Sequence, residues 1–189
     1  MKKIMFNDKF GLTQAVLEGR KTMTRRVVSL RDSKRAKAIA SPLKCYFYID
    51  ALFSRYQVGE VVAIAQSYND VIEEWKKGYG QGFCFSLKDR AGMTNKMFVR
   101  SEEMPHHIKI TNIRMEHLQD ISDEDCLREG IRKWDKDGNP LGPSYDFVNS
   151  PHGYATPREA FAALIDKVSG KGTWNSNPMV WVYEFELVD

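Results

Sequence analysis

Cysteine is scarce in this chain. Cys45, Cys84 and Cys126 are the only three in 189 residues, odd in number and far apart. That argues against a disulfide-stapled scaffold, shows no zinc-ligand spacing, and fits reduced thiols in a cytosol. Long apolar runs are lacking as well, since none approaches the roughly 20 residues of a membrane span. The opening Met1-Lys2-Lys3-Ile4-Met5-Phe6-Asn7-Asp8 reaches an acid too soon for a secretory core, so a cytoplasmic protein is expected. Neither a Gly-x-Ser-x-Gly elbow nor a Gly-x-x-x-x-Gly-Lys phosphate loop occurs, which leaves the common hydrolase and nucleoside-triphosphatase classes unsupported. The four histidines, His106, His107, His117 and His152, form no i, i+4 pair and have no cysteine partner. No metal and no other cofactor is expected.

What is present fits one globular domain spanning residues 1–189. Hydrophobic residues make up 42% and aromatic residues 12%, enough for a proper core. The net charge is only +3, but charge is segregated. From Arg20 to Lys37 eight bases (Arg20, Lys21, Arg25, Arg26, Arg31, Lys34, Arg35, Lys37) face the single acid Asp32. From Glu116 to Asp137 eight acids (Glu116, Asp120, Asp123, Glu124, Asp125, Glu129, Asp135, Asp137) outnumber four bases. A basic arm favours an anionic partner, with nucleic-acid phosphates the usual candidate. A solvated surface loop explains the same composition.

Local patterns predict a short first strand at Lys3–Phe6. Asp8 is then placed to cap a helix with Leu12, Ala15 and Val16 inward, and Gly19 to end it in a left-handed conformation. Val61–Ala65 and His107–Ile113 read as strands. Ser122-x-x-Asp125 reads as a capping box for a short helix stopping at Gly130. Thr156-Pro157-Arg158-Glu159 is the clearest helix start, with Phe161, Leu164, Ile165 and Val168 on one face. Val180–Leu187 reads as a closing strand. Segments near 30–56, 69–98 and 132–156 read as insertions, the second as an excursion of hairpin type and Asp135–Gly153 as a long loop. Strands scattered among short helices argue for an α+β fold. A small β-barrel is preferred, since closure removes sheet edges, with an open mixed sheet as the alternative.

The chemistry concentrates in Gly19-Arg20-Lys21-Thr22-Met23-Thr24-Arg25-Arg26. Neighbouring cations should lower the pKa of Lys21, the one of them that can lose its proton. A neutral lysine beside a hydroxyl is a possible base and nucleophile. In a regular strand Lys21 and Thr24 would point to opposite faces, so their cooperation needs an irregular backbone after Gly19. Glu129 stands in the last turn of its helix, where the macrodipole disfavours an anion, so a compensating cation is expected. Tyr46, Tyr48, Trp75, Tyr79, Phe83 and Trp174 are candidates to stack bases.

The order of several short motifs resembles the ASCH domain family of the PUA-like superfamily, in its larger bacterial and phage form. These motifs are Leu17-Glu18-Gly19-Arg20-Lys21-Thr22-Met23-Thr24-Arg25, Val58-Gly59-Glu60-Val61, Glu103-Met104-Pro105, Leu118-Gln119-Asp120-Ile121-Ser122, Glu129-Gly130-Ile131, Trp174-Asn175-Ser176-Asn177-Pro178 and Val180-Trp181-Val182. The resemblance implies a PUA-like barrel with a cleft and a role in RNA binding. Some small members remove the acetyl group from N4-acetylcytidine with a lysine, a threonine and a glutamate, which fall here on Lys21, Thr24 and Glu129. One departure is Ala65-Gln66, where larger members carry a carboxylate. Two functional readings follow. In the first, a basic cleft binds RNA or a modified nucleoside or nucleotide, with Arg20, Arg25 and Arg26 on phosphate and Trp174 against a base. In the second, the protein is an amidohydrolase acting on N4-acylated cytidine through Lys21, Thr24 and Glu129. A scaffold that kept the cleft without the chemistry is a third, blander possibility.

Overall fold

The structure is a computed structural model that describes residues 1–28, 54–79, 91–135 and 142–188. Most of the expected insertion at 30–56 lies outside these residues, as do Tyr46, Tyr48, Phe83 and the side chain of Tyr79.

Strand β1 (Lys3–Ile4) leads through a turn at Asp8–Phe10 into helix α1 (Leu12–Leu17) and then strand β2 (Met23–Val27). After β3 (Val61–Ile64) comes helix α2 (Tyr68–Tyr79), then β4 (His107–His117) and helix α3 (Asp123–Arg128). A small hairpin of β5 (Arg132–Trp134) and β6 (Ser144–Asp146) precedes helices α4 (Pro157–Ser169) and α5 (Thr173–Ser176), and β7 (Met179–Leu187) closes the chain. Five strands form one mixed sheet in the order β1-β3-β4-β7-β2. Only β1 and β3 run parallel; the other neighbours are antiparallel, with a register shift in β4 between Ile110 and Asn112.

The barrel expectation is corrected by this order. β1 and β2 are opposite edges of an open sheet and do not pair with each other. β1 has only two residues; the Ile4 carbonyl, and that of Lys2 before it, accept from Ala65 and Ala63 along β3, and the Lys3 carbonyl accepts from the Tyr56 hydroxyl. Across the unpaired seam the chain is joined by a side chain instead: the Arg26 guanidinium donates to the Met5 carbonyl at 2.5 Å.

Three local expectations also change. Asp8 does not cap α1, whose N-cap is Gly11 at φ 65°; the Asp8 carboxylate accepts instead from the Thr13 hydroxyl at 2.5 Å. The described part of the 69–98 segment holds helix α2 rather than a hairpin, with Tyr68 and Val71 buried beneath it. Asp135–Gly153 is not a plain loop, because β6 lies within it and Tyr145 bridges to Tyr154.

The Thr156 cap is observed, with its side chain accepting from the Glu159 N–H and Pro157 in the first turn, while Val168, expected on the apolar face, is exposed. Phe161, Leu164 and Ile165 then pack into a core with Ile4, Phe6, Val182 and Phe185. Both faces of β7 are covered: Trp181, Tyr183 and Phe185 are buried on one, Val180 and Val182 on the other. Among the described residues no helix is long and apolar enough to cross a membrane.

Candidate functional site

Two backbone hydrogen bonds place the site. The Lys21 N–H donates to the Ala15 carbonyl at the end of α1, and the Thr22 N–H donates to the Arg128 carbonyl at the end of α3. Gly19, at φ 71°, makes the bend that allows this. Lys21 and Thr22 therefore precede the regular strand, which begins at Met23. This is the irregularity that cooperation with Thr24 requires, and Lys21 and Thr24 line one cavity of about 420 Å³.

Glu129 is the C-cap residue of α3, and Gly130 at φ 106° turns the chain away behind it. A β-carbon on Gly130 would meet Leu12 Cδ2 at 3.3 Å and Lys21 Cδ at 3.7 Å, so glycine lets the helix end sit against the lysine stem. Lys21 Nζ donates to the Glu129 carbonyl at 2.8 Å and to its Oε2 at 2.6 Å. One ammonium thus satisfies both a helix-end carbonyl and the carboxylate that the helix dipole disfavours. Glu129 Oε1 accepts from Arg25 Nη1 at 3.2 Å.

Lys21 is only 2% exposed. Burial holds its ammonium below the ordinary lysine range; Glu129 pulls in the opposite direction, and Arg26 and Arg25 add to the lowering. The expected direction stands, but desolvation rather than cationic neighbours is its main cause. Thr24 is buried at 5% exposure, and among the described residues nothing hydrogen-bonds its hydroxyl. Phe6 forms a wall of the cavity, with Lys21 Nζ 5.8 Å and the Arg26 guanidinium 5.9 Å from its ring centre. Phe161, Leu164 and Ile165 of α4 supply the apolar side opposite.

The three arginines expected on phosphate have different fates. Arg20 is paired with Glu18 on the surface, at 2.6 Å, and is not part of the cavity. The Arg25 side chain is 1% exposed and already saturated: its donors reach Glu116 at 2.6 Å, Asp125 at 2.9 Å and Glu129 at 3.2 Å. Arg26 alone lines the cavity without a carboxylate partner among the described residues. Trp174 is not in the cavity wall; its ring meets Phe161 edge-on at 6.2 Å and lies under the Arg158 guanidinium at 5.4 Å. Trp75 packs beside Tyr68 and Val71, away from this site.

Sequence reasoning missed the second half of the arrangement. Beyond Arg25, Asp125 also takes Arg114 at 2.9 Å and Arg128 at 3.3 Å, and Glu184 takes Arg128 at 2.8 Å and also Arg114. Part of the signal was present in the two opposite charge blocks, since Arg25 of one meets Glu116, Asp125 and Glu129 of the other. The capping box is half observed for the same reason. Ser122 Oγ accepts from the Asp125 N–H at 3.1 Å, while the Asp125 carboxylate is committed to arginines.

A second hollow of about 650 Å³ is bordered by Gln66, Asp70, Glu73, Glu74 and His106. None of the sequence-predicted site residues reaches it. Gln66, at the position where a carboxylate was looked for, donates to Glu74 at 3.2 Å, and Glu74 in turn contacts His106 at 2.6 Å. Among the described residues no group of three His, Cys, Asp or Glu side chains could hold a metal ion. Comparison with family models, with curated proteins and with solved structures found no match to the chain, so the site's own geometry carries the functional argument.

Proposed function

We propose that the Lys21–Thr24–Glu129 cavity recognises a modified nucleoside or nucleotide. The observation that carries this reading is the composition of one small cavity. A buried Lys21–Glu129 pair shares it with an aromatic wall and, among the described residues, with a hydroxyl that has no hydrogen-bond partner and one arginine that has no carboxylate partner. Its volume, about 420 Å³, falls in the range of small-molecule sites. Nucleobase edges need donors and acceptors close together, which Lys21, Thr24 and Glu129 offer, and a flat apolar contact, which Phe6 offers. The resemblance to the ASCH family supports the same site. A grip on an extended RNA strand is less well served, because Arg20 and Arg25 are already spent on carboxylates.

A second reading, amide hydrolysis of an N4-acylated cytidine, is favoured by one further observation: the Lys21 pKa is lowered in the cavity that also holds the Thr24 hydroxyl, which has no hydrogen-bond partner among the described residues. Neutral Lys21 takes the Thr24 proton as the Thr24 oxygen adds to the acyl carbonyl. The C–N bond then breaks, the proton passes to the departing amine, and water cleaves the acyl ester to free the threonine. Glu129 holds the lysine in place. Lysine and threonine can exchange the roles of nucleophile and base without altering the residue set.

The test is incubation of the purified protein with N4-acetylcytidine, followed by chromatography and by calorimetric binding, beside Lys21→Met. Turnover by the wild type alone establishes the hydrolase. Saturable binding without turnover leaves a reader of modified nucleosides. Neither binding nor turnover rejects the site.

A further inference from the structure

We infer that the ligand of this cavity carries a phosphate monoester, and that Arg26 and Lys9 hold that phosphate in a groove adjoining the cavity. The inference rests on the nucleoside reading above and names the substrate class as a mononucleotide.

The groove has a volume of about 430 Å³ and shares Met5, Phe6, Arg26 and Val168 with the main cavity, so the two are continuous. Its charged lining consists of Arg26, Lys9, Lys96 and Asp8. Asp8 and Lys96 cancel: their side chains are 2.7 Å apart, and the same ammonium also donates to the Thr13 hydroxyl and the Phe6 carbonyl. Lys96 is therefore committed to the fold. Arg26 has neutral partners only, the Met5 carbonyl and the Phe6 ring. Lys9 has the Phe10 ring, with its ammonium 5.8 Å from the centroid. Among the described residues neither cation makes an ion pair with a carboxylate, so within them the groove keeps two positive charges without a salt-bridge partner.

A phosphate monoester matches that pair. It carries nearly two negative charges at neutral pH, accepts the planar fork of an arginine through two oxygens, and accepts a lysine as a point charge. The placement follows the ligand's own connectivity. With a base against Phe6 and the Lys21–Glu129 floor, a 5′-phosphate leaves the cavity past Arg26, the residue common to both spaces. Among the described residues the groove offers two cations without an ion-pair partner, enough for one phosphate, while Arg20 and Arg25 are already neutralised.

The experiment compares binding of N4-acetylcytidine and its 5′-monophosphate by calorimetry, using wild type, Arg26→Gln, Lys9→Gln and the double variant, with melting curves to confirm folding. The monophosphate is expected to bind the wild type about tenfold more tightly, the size of one charge-assisted contact. The double variant should lose that advantage, and Lys9→Gln should leave nucleoside binding unchanged. Equal affinity for both ligands in the wild type overturns the phosphate groove and leaves the nucleoside site standing. Binding of neither overturns both. An acetylated oligoribonucleotide that binds far more tightly than the monophosphate overturns the mononucleotide assignment in favour of RNA.

Discussion

Arg25 and Arg26 are neighbours in β2, yet they belong to different regions of the molecule. Both line the cavity, but alternation along the strand commits the Arg25 guanidinium to a lattice of carboxylates from β4 and α3, and sends Arg26, with Thr24, to the other face, beside the seam. The lattice is charge-complete: each acid named in it meets at least one arginine. The cavity side is left with a cation whose partners among the described residues are neutral. Identical side chains one residue apart are thus divided: Arg25 is spent on carboxylates inside the fold, and Arg26 is the one proposed for the ligand. A count of arginines cannot distinguish them; a list of their partners can.

The largest test of that division is Glu129, the residue common to both regions. Glu129→Ala strands Lys21 in the interior and removes one partner of Arg25, and is expected to destabilise the fold by about 3–5 kcal/mol in urea titrations. Lys21→Met should cost clearly less, because Glu129 keeps Arg25. Equal losses would mean that the two ion pairs are not linked through the carboxylate.

Next in size is the comparison of the arginines themselves. Arg25→Met leaves three carboxylates short of a donor and is expected to cost about 2 kcal/mol. Arg26→Met should change stability by no more than about 0.5 kcal/mol, while weakening nucleotide binding. The reverse order of stabilities would overturn the assignment of the two faces.

A smaller effect lies in pH. The folded-state pKa of Lys21 is held below the unfolded value near 10.5, so the unfolded chain binds more protons between those two values. Its contribution to stability is fully present above 10.5 and is lost as pH falls through the folded pKa. The stability of wild type relative to Lys21→Met should therefore rise with pH across that window, by at most about 1.4 kcal/mol per pH unit. A flat difference between pH 7 and 10 would show that the ammonium titrates normally.

At the smallest end, Cys126 borders the lattice in the core. Burial pushes its thiol up to about 12. It should resist alkylation in the native state at neutral pH, and rapid labelling under those conditions would reveal local opening at α3.

Much of this was legible in residue order. Pattern and capping rules located α4 and its inward face, the ends of α1 and α3, and the closing strand, because those signals are local. The misplacement of Glu129 against its helix dipole pointed to a compensating cation, and Lys21 and Arg25 are both there. What could not be read depends on pairing across the chain. Whether β1 meets β2 is decided by where the β1 backbone groups find partners, and these are β3 and Tyr56. The basic and acidic blocks read as an appetite for an outside polyanion, whereas Arg25 meets Glu116 and Asp125, 91 and 100 residues away. Trp174 was a candidate by type, and only packing shows its ring given to Phe161 and Arg158.

The open seam has a mechanical consequence. Where two strands are laddered together, their separation is fixed near 4.8 Å by repeated backbone hydrogen bonds, and widening them breaks several at once. Here the span from Met5 to Arg26 is set by one side chain with several rotatable bonds. This link at the cavity lining can change by a rotamer of Arg26 without breaking any strand-to-strand hydrogen bond. Substitutions at the cavity rim can retune which ligands enter while the fold beneath pays no toll.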